Sequence, residues 1–254
     1  MIDVHAHFEQ PDYDKDRDQV IEMCKQKLNA VITCCAHPND FQITMDMMEK
    51  HKNFIFATFS IHPIYVKEIN EEQKTKFFDL INKNKDKIVG IGETGLDYFH
   101  VKENEWREKQ KELFIEHISL AKKLKKPIVI HSRDAIDDSV NILEQEGAEI
   151  VLMHLFGTRH LVKTIIENNW SISIGPIAQR SKTHKKIIRD IPIENIMLET
   201  DSPWFGTEGK RNDPTAVIGV ANRISEVKKI NPEEVDRITT QNAVKFFDLK
   251  IRAF

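Results

Sequence analysis

The chain opens with Ile2-Asp3-Val4-His5-Ala6-His7, a short run typical of a β-strand that ends in a His-x-His pair. Side chains of a strand alternate between its faces, so Asp3, His5 and His7 are expected to share one face. Two imidazoles at a strand end can bind a metal ion, and Asp3 could hold an imidazole N–H from behind. The other interpretation is a solvated N-terminal tip, and the pair alone does not decide between the two.

Seven further short apolar runs follow, and most are separated by polar segments with helical spacing. Each run is rich in Ile, Val, Phe or Thr and is bounded by Pro, Gly or polar residues, which favours strand over helix. The intervening segments, such as 105–124 and 137–146, carry Glu, Lys and Leu at helical spacing. The predicted strands are 2–7, 30–35, 54–62, 88–93, 127–131, 149–154, 170–175 and 196–201.

Alternation of strands and helices implies parallel strands joined by right-handed crossovers. Eight such units predict an α/β fold, a TIM-like (β/α)₈ barrel in which residues 1–254 form a single domain. An open doubly wound sheet is the alternative, weakened because no glycine-rich phosphate loop follows an early strand. After the last strand, a turn-rich loop at 206–212 precedes two helices that Pro214 and Pro232 are expected to open.

Composition limits the classes of protein that remain. The formal net charge of -3 over 254 residues gives no general attraction to a polyanion, so any nucleic-acid contact needs a local basic lining. Three cysteines without a CxxC motif argue for a reducing compartment. The N-terminus lacks a signal-peptide pattern, and the longest uncharged run, 53–66, is too short to cross a bilayer. We therefore expect a cytoplasmic protein without a membrane partner, and the oligomeric state stays open.

The predicted strand ends carry the chemical information. In a (β/α)₈ barrel all carboxyl ends of the strands meet at one mouth, where active sites of this fold are built. A single histidine at a strand end is usually structural, but metal-competent side chains at five strand ends are hard to explain by chance. These candidate metal ligands are His5, His7, Glu93, His131, His154 and Asp201.

The donor chemistry is imidazole plus carboxylate without thiolate. That excludes a Cys₄-type structural zinc site and suits a catalytic site with open positions. Glu93 can bridge two cations, because a carboxylate has two oxygens to share. Asp201 can bind a metal and accept a proton from water. We therefore expect two divalent cations per chain, Mg²⁺ first, with Zn²⁺ or Mn²⁺ as alternatives.

A set of motifs now resembles the TatD metal-dependent deoxyribonucleases, in the family's order and over nearly the whole chain. The motifs are Asp3-Val-His5-Ala-His7, Ile61-His62-Pro63, Gly92-Glu93-Thr94-Gly95-Leu96-Asp97-Tyr98, His131-Ser132-Arg133, His154-x-Phe156, Glu199-Thr200-Asp201-Ser202-Pro203 and Arg211-Asn212-x-Pro214. The resemblance implies a barrel of the metal-dependent hydrolase superfamily and metal-dependent DNase activity, often 3′–5′ exonuclease action on single strands. By matching position, the six candidate ligands above would be the metal ligands, and DNA, single-stranded, would be the substrate.

The sequence departs from the family's pattern at two places. His154-Leu155-Phe156-Gly157 stands where many members have His-Cys-Phe-Ser-Gly, and Ser60 precedes Ile61-His62-Pro63 where glycine is common. These changes concern the shape of the pocket and leave the ligand set intact.

Three residues beside the ligands are candidate substrate contacts. Arg133 could bind a phosphate or form a surface ion pair with Asp134 or Asp137. Arg211, in the loop after the last strand, has the same two interpretations. His62 could hydrogen-bond a phosphate, protonate a leaving group or merely cap its strand, and its family position favours a catalytic role beside Asp201 and Glu93.

Several other residues have weaker or structural interpretations. Trp204 and Phe205 could stack a base or pack the closing loop. Glu199 shares strand parity with Asp201, so either it supports the site or a bulge shifts the register. Two cysteines are expected to be buried in the barrel wall and core, namely Cys34 and Cys35. Three histidines in helix-like segments are expected to be exposed, namely His51, His117 and His184.

Three classes of function compete. A metal-dependent phosphodiesterase acting on DNA leads. Another hydrolase of the same superfamily, acting on an amide, a lactone or a ring amine, is second; such relatives often use a carbamylated lysine bridge where Glu93 stands here. A non-catalytic binding barrel is third, and converging ionisable groups would be costly to keep unpaired there. A PHP-type phosphoesterase shares the early His-x-His but fits Gly92–Tyr98 and Asp201 less well.

Overall fold

The computed structural model describes residues 1–206 and 209–251. Eight parallel strands follow one another around a sheet in chain order, as the (β/α)₈ prediction requires. Two hydrogen bonds join the ends, from the His7 amide to the Ser202 carbonyl (2.7 Å) and from the Asp201 amide to the His5 carbonyl (2.9 Å). The strands are β1 (Ile2–Ala6), β2 (Ala30–Cys35), β3 (Ile55–Phe59), β4 (Gly90–Asp97), β5 (Ile128–Arg133), β6 (Val151–Met153), β7 (Ser171–Ile174) and β8 (Ile196–Leu198).

Helices surround the barrel, and the predicted alternation is confirmed. Short 3₁₀ turns stand at several strand exits, including Pro63–Lys67 after β3 and Pro176–Gln179 after β7. In the part of the chain that the structure describes, no helix combines the length and apolar character needed to cross a membrane. The helices are α1 (Arg17–Lys25), α2 (Phe41–Lys50), α3 (Glu71–Lys83), α4 (Asn104–Leu124), α5 (Ile136–Gln145), α6 (Val162–Glu167), α7 (Lys182–Asp190), α8 (Val217–Lys228) and α9 (Pro232–Phe247).

Strand boundaries differ from the predicted ones where a strand end carries a functional side chain. β3 stops at Phe59, because Pro63 opens a 3₁₀ turn whose N-cap is His62. β6 and β8 stop at Met153 and Leu198, so His154 and Asp201 lie just beyond their strands. Pro214 opens a 3₁₀ turn rather than α8 itself, and the predicted loop 206–212 includes residues 207 and 208, which lie outside the described ranges.

β4 instead runs four residues further than predicted, to Asp97. Its pairing with β5 shifts register between Ile91 and Thr94 and then continues to the pair Asp97–Arg133. The longer strand carries Glu93 and Asp97 along the wall of the mouth.

Two apolar clusters hold these elements in place. The smaller one takes side chains from most strands, including Val4, Ile32 and Leu152, and extends to Phe247 of α9. It fills the barrel, and α9 packs against it. The larger cluster lies between strands and surrounding helices, with Phe114 of α4 among its fully buried members. Burial of this much apolar surface fixes the strands, and hence the positions of their ends.

Candidate active site

One cavity of about 590 Å³ lies at the mouth of the barrel. It is lined by His7, Glu93, His131, His154 and Asp201, five of the six predicted ligands. The sixth, His5, is buried, and its ring stacks on that of His154 with 3.9 Å between ring centroids. The fold thus brings together side chains that are far apart in sequence, as the barrel geometry requires.

Four of these residues form a first group of donor atoms. The Nε2 atoms of His5 and His7 lie 3.1 Å apart. Glu93 Oε2 lies 3.3 Å from His5 Nε2 and 3.6 Å from His7 Nε2. Asp201 Oδ1 lies 3.6 Å from His5 Nε2 and 3.3 Å from His7 Nε2. Two imidazoles and two carboxylates therefore face a common point.

The second oxygen of Glu93 faces a different group. Its Oε1 atom lies 2.6 Å from His131 Nδ1, 3.4 Å from His154 Nε2 and 3.5 Å from His62 Nε2. One carboxylate thus joins two donor groups, each formed by side chains from different strands. Ligand atoms about 2.1 Å from one cation lie about 3.0–3.4 Å from each other. The first group, at 3.1–3.6 Å, is close to this spacing, whereas in the second group the 2.6 Å between Glu93 Oε1 and His131 Nδ1 is a hydrogen-bond distance and His154 and His62 lie at 3.4 and 3.5 Å.

Three of the imidazoles are held from behind by carboxylates. His7 Nδ1 is 2.8 Å from Glu9 Oε1, and His154 Nδ1 is 2.8 Å from Glu199 Oε2. Such contacts fix the ring orientation and leave the opposite nitrogen free for a metal. Glu199 therefore supports the site from behind, which was one of its two interpretations.

His131 is oriented in the same way, with its Nε2 atom 3.1 Å from Asp97 Oδ2. The sequence did not indicate the supporting roles of Glu9 and Asp97. Their only signal was position, since Glu9 follows His7 by two residues and Asp97 lies in the Gly92–Tyr98 motif.

The expectation that Asp3 holds an imidazole is wrong. Its carboxylate accepts the backbone N–H groups of His5 and Thr200, each at 3.1 Å, and the Thr200 hydroxyl. β1 is irregular here, with a register shift against β2 between Asp3 and Ala6. Asp3 therefore fixes the backbone that joins the first and last strands, while His5 Nδ1 finds no hydrogen-bond partner among the described residues.

The electrostatics of Glu93 follow from its surroundings. Burial alone would raise the pKa of this carboxyl, but the nearby imidazoles, led by His154, His62 and His131, lower it well below its usual range. Glu93 is thus held as an anion inside the protein, the form that binds cations.

The pKa values of the imidazoles are raised or lowered according to the groups that surround each ring. Burial opposes protonation of His154, yet Glu199 and Glu93 raise its pKa to about 9. His7 also has a raised pKa despite burial, because of Glu9 and Asp201. Burial and the neighbouring His131 lower the pKa of His62 to about 4. A site with this much negative charge facing buried imidazoles is suited to take up positive charge, from protons or from metal ions.

Arg133 lies exposed at the rim and lines the cavity. Its guanidinium stacks over the Phe99 ring at 4.0 Å. Within the described ranges no carboxylate lies within 4 Å of it, so the ion pair with Asp134 or Asp137 is not formed; Asp137 contacts His160 instead. The guanidinium is therefore available to a ligand.

Arg211 is placed differently. Its guanidinium donates to both carboxylate oxygens of Asp16, at 2.9 and 2.6 Å, and stacks on Tyr13 at 4.4 Å. It does not line the cavity, so the structure does not bring it together with Arg133 and His62.

Two aromatic side chains border the mouth. Trp204 and Phe205 are 45% and 44% exposed, and both line the cavity. The Trp204 ring lies edge-on to His7, with 4.6 Å between ring centroids. Large apolar rings left half exposed beside a polar site are typical of ligand contact rather than core packing.

The expected exposure of three helical histidines is wrong, because His51, His117 and His184 are all buried. His117 donates from Nδ1 to the Leu113 carbonyl (2.8 Å) and accepts at Nε2 from the Ile61 amide (3.1 Å). His51 lies between Asp18 and Lys25. Neutral imidazole can satisfy both nitrogens internally, which sequence periodicity does not show.

The two cysteines are buried, as predicted. Cys34 has a role in the site as well, since its sulfur accepts the backbone N–H of Glu93 at 2.9 Å.

A TIM-type barrel whose mouth gathers imidazoles and carboxylates in two groups is the arrangement of a metal-dependent hydrolase. Comparison with known proteins narrows this class. A family model described as TatD related DNase matches residues 2–248. The chain belongs to this family.

The sequences of relatives align with this chain over nearly their whole length. The human deoxyribonuclease TATDN3 is 34% identical, with 97% of this chain and 94% of that protein covered. The uncharacterized metal-dependent hydrolase YabD of Bacillus subtilis is 36% identical, with 97% and 98% covered. Among solved structures, the TatD homolog YJJV of Escherichia coli superposes with a TM-score of 0.90 at 22% identity, covering 98% of each chain, which supports the fold.

Proposed function

We propose that this chain hydrolyses phosphodiester bonds of DNA and acts on single strands from the 3′ end. The observation that carries the proposal is that the two carboxylate oxygens of Glu93 face separate groups of imidazoles. Oε2 lies 3.3–3.6 Å from the nitrogens of the first group, and Oε1 lies 2.6–3.5 Å from those of the second. Paired cation sites are suited to phosphodiester cleavage, where attacking and leaving oxygens both need stabilisation. The names of the relatives point to the same substrate.

The residues that would hold two divalent cations follow from the two groups. His5, His7 and Asp201 would hold one, His131 and His154 the other, and Glu93 would belong to both. When bound, the cations supply Lewis-acid stabilisation of the phosphate and lower the pKa of water. Imidazoles suit Zn²⁺, whereas carboxylates suit Mg²⁺ and Mn²⁺, so these three remain the candidates.

Asp201 is the proposed proton acceptor. Its Oδ1 atom faces His5 and His7, and the residue lines the cavity while remaining mostly buried. A carboxylate in this position can orient an attacking water and take its proton. Glu93, held deep in the site by its imidazole neighbours, serves to bind positive charge.

His62 is proposed to hydrogen-bond a phosphate oxygen. Its Nδ1 accepts the Ile64 backbone N–H (3.3 Å), so the proton resides on Nε2, which points into the site. Because burial lowers its pKa to about 4, the ring is neutral at neutral pH. A neutral ring suits donation of a hydrogen bond better than delivery of a proton to the leaving group.

The rim is proposed to bind the strand next to the scissile bond. Arg133 offers a phosphate contact, and Trp204 and Phe205 offer faces on which unpaired bases can stack. Stacking needs bases that are free of a complementary strand, and this favours single-stranded DNA. Arg211 would reach a phosphate only at the outer rim, where the phosphate would replace Asp16 as its partner.

A substrate panel tests this function. Linear single-stranded DNA, RNA, a nucleotide ester and an amide substrate are incubated with and without Mg²⁺ or Mn²⁺, beside a circular single strand. The proposal predicts metal-dependent release of nucleotides from the 3′ end of linear DNA, with the circle cut slowly. Rapid cutting of the circle would contradict the exonuclease action, and turnover of the amide with no turnover of DNA would contradict the whole proposal.

A further inference from the structure

A strongly basic stretch lies beside the active site and has no part in the chemistry above. Residues 154–190 carry seven lysines and arginines against two acidic residues, a net charge of +5 in a chain whose total is -3. All seven cations are exposed. We name this set the basic face, and its members are Arg159, Lys163, Arg180, Lys182, Lys185, Lys186 and Arg189.

The basic face begins at the mouth of the barrel. Arg180 and Lys182 follow the 3₁₀ turn Pro176–Gln179, which leaves the carboxyl end of β7. The first turns of α7 pack against the loop that carries His154, because His184 Cε1 lies 3.4 Å from the position of a Cβ on Gly157. The basic face is thus separated from the candidate metal ligands by a single loop.

A groove continues from this point along the outside of the barrel. It has a volume of about 960 Å³, starts at Gly157 and Thr158, and runs between α6 and Asp190 at the end of α7. Arg159 and Lys163 line it. Lys186 lies four residues before Asp190 and so occupies the same face of α7.

The lysines of α7 occupy positions where positive charge destabilises the helix. Lys182 and Lys185 lie in the first turn, where the helix dipole disfavours positive charge. Lys182 also faces Lys185 and Lys186 at spacings of three and four residues, where like charges repel. Arg180, Lys182, Lys185 and Lys186 have no carboxylate within ion-pair distance in residues 1–206 and 209–251, whereas Arg159 and Arg189 share Asp190 and Lys163 pairs with Glu167.

We propose that the basic face binds the phosphates of the single strand that extends from the active site. The inference rests on the proposed function and adds a second binding region to it. Charge complementarity selects the occupant: several uncompensated cations at spacings of about 5–6 Å, next to a phosphodiesterase centre, fit a polyanion. The loop after β1 would not compete for the strand, because residues 9–18 carry five acidic residues against two basic ones.

The test compares two triple variants with the same change of charge. K182Q/K185Q/K186Q removes three cations of the basic face. K83Q/K85Q/K87Q is the matched control, since these exposed lysines lie between the end of α3 and β4, at the opposite end of the barrel. Both are made in the Asp201→Asn background, and binding of fluorescent oligo-dT of 5 and 20 nucleotides is followed by anisotropy with Mn²⁺ present.

The proposal predicts that K182Q/K185Q/K186Q weakens binding of the 20-mer about tenfold at low salt and reduces the slope of log K against log salt by about 2, roughly 0.7 per lost phosphate contact. The 5-mer should bind as before, and the control should change either affinity less than twofold. Because the substitutions remove repulsion in α7, the variant should unfold at the same temperature as its parent or higher.

Unchanged binding of the 20-mer, or an equal loss in the control, would overturn the inference. The outcomes also separate it from the proposed function. If the wild type cleaves DNA and the basic-face variant binds the 20-mer normally, only the proposed role of the basic face is refuted. If the basic-face variant selectively loses binding of the 20-mer but the wild type cleaves no DNA, the role of the basic face is supported and the proposed activity is refuted.

Discussion

Glu93 directs one carboxylate oxygen to His5 and His7 and the other to His131, His154 and His62. Its backbone is fixed as well, by the Cys34 sulfur on its N–H and the Ser60 hydroxyl on its carbonyl. The Ser60 hydroxyl thus contributes a hydrogen bond to the segment that carries the shared carboxylate.

Replacing Asp201 by Asn should abolish turnover without loss of the fold. The side chain lies at the mouth and outside both apolar clusters, so an isosteric change leaves the core intact. We expect kcat to fall by at least about 10²-fold, the scale of a lost general base. Steady-state kinetics on single-stranded DNA measure the loss, and circular dichroism provides the control. A kcat near that of the wild type, or a collapsed spectrum, would refute the assignment.

The sequence predicted the residues that could bind metal better than those that support them. His5, Glu93 and His131 belong to strands, and His7, His154 and Asp201 closely follow them, so strand periodicity placed all six at the mouth of the barrel. Glu9 and Asp97 act through imidazoles, and their positions in the sequence alone did not identify these contacts. The burial of His117 was also hidden, because a histidine in a polar helix looks the same whether its ring points outward or inward.

At the scale of elements, α4 supports the loop that carries His62. His117 accepts the Ile61 amide proton, one residue before His62, and is fully buried. Burial lowers the pKa of this imidazole to about 4, although its bond to the Leu113 carbonyl acts in the opposite direction.

This placement makes His117 a source of acid sensitivity. The unfolded chain takes up the proton near pH 6.5 and the folded chain only near pH 4, so stability is complete above pH 6.5 and declines as the pH falls toward 4. Between pH 7 and 5 the loss from this group is about 2 kcal/mol. His117→Gln, which keeps an acceptor, should lose that much less stability than the wild type over this interval. Urea unfolding at both pH values measures the difference, and equal losses would contradict it.

Gly95 explains why β4 can run so close to β5. Its φ is +140°, and an added Cβ would lie 2.1 Å from the backbone oxygen of His131. Gly95→Ala should therefore destabilise the fold by about 1–3 kcal/mol or more and displace His131. Urea unfolding and metal affinity should both change. If Gly95→Ala unfolds with the stability of the wild type, β4 and β5 can move apart without loss of stability, which would contradict the prediction.

At the scale of the whole molecule, the number and closure of strands were predictable, because eight alternating units leave few topologies. The exact strand ends were not, since Pro63 shortens β3 while pairing with β5 lengthens β4. The basic stretch at residues 154–190 was not predicted from the sequence, because the net charge of -3 conceals the uneven distribution of charge along the chain.

Metal titration of a fully chelated sample tests the central claim most directly. Single-strand hydrolysis and bound Mn²⁺ are measured together as the metal is returned to the wild type and to Glu93→Gln. The two donor groups predict no activity without metal, full activity only as the second equivalent binds, and loss of both sites in Glu93→Gln because the two share that carboxylate. Hydrolysis that survives chelation, or returns completely with one equivalent while Glu93→Gln still binds two, would contradict the account.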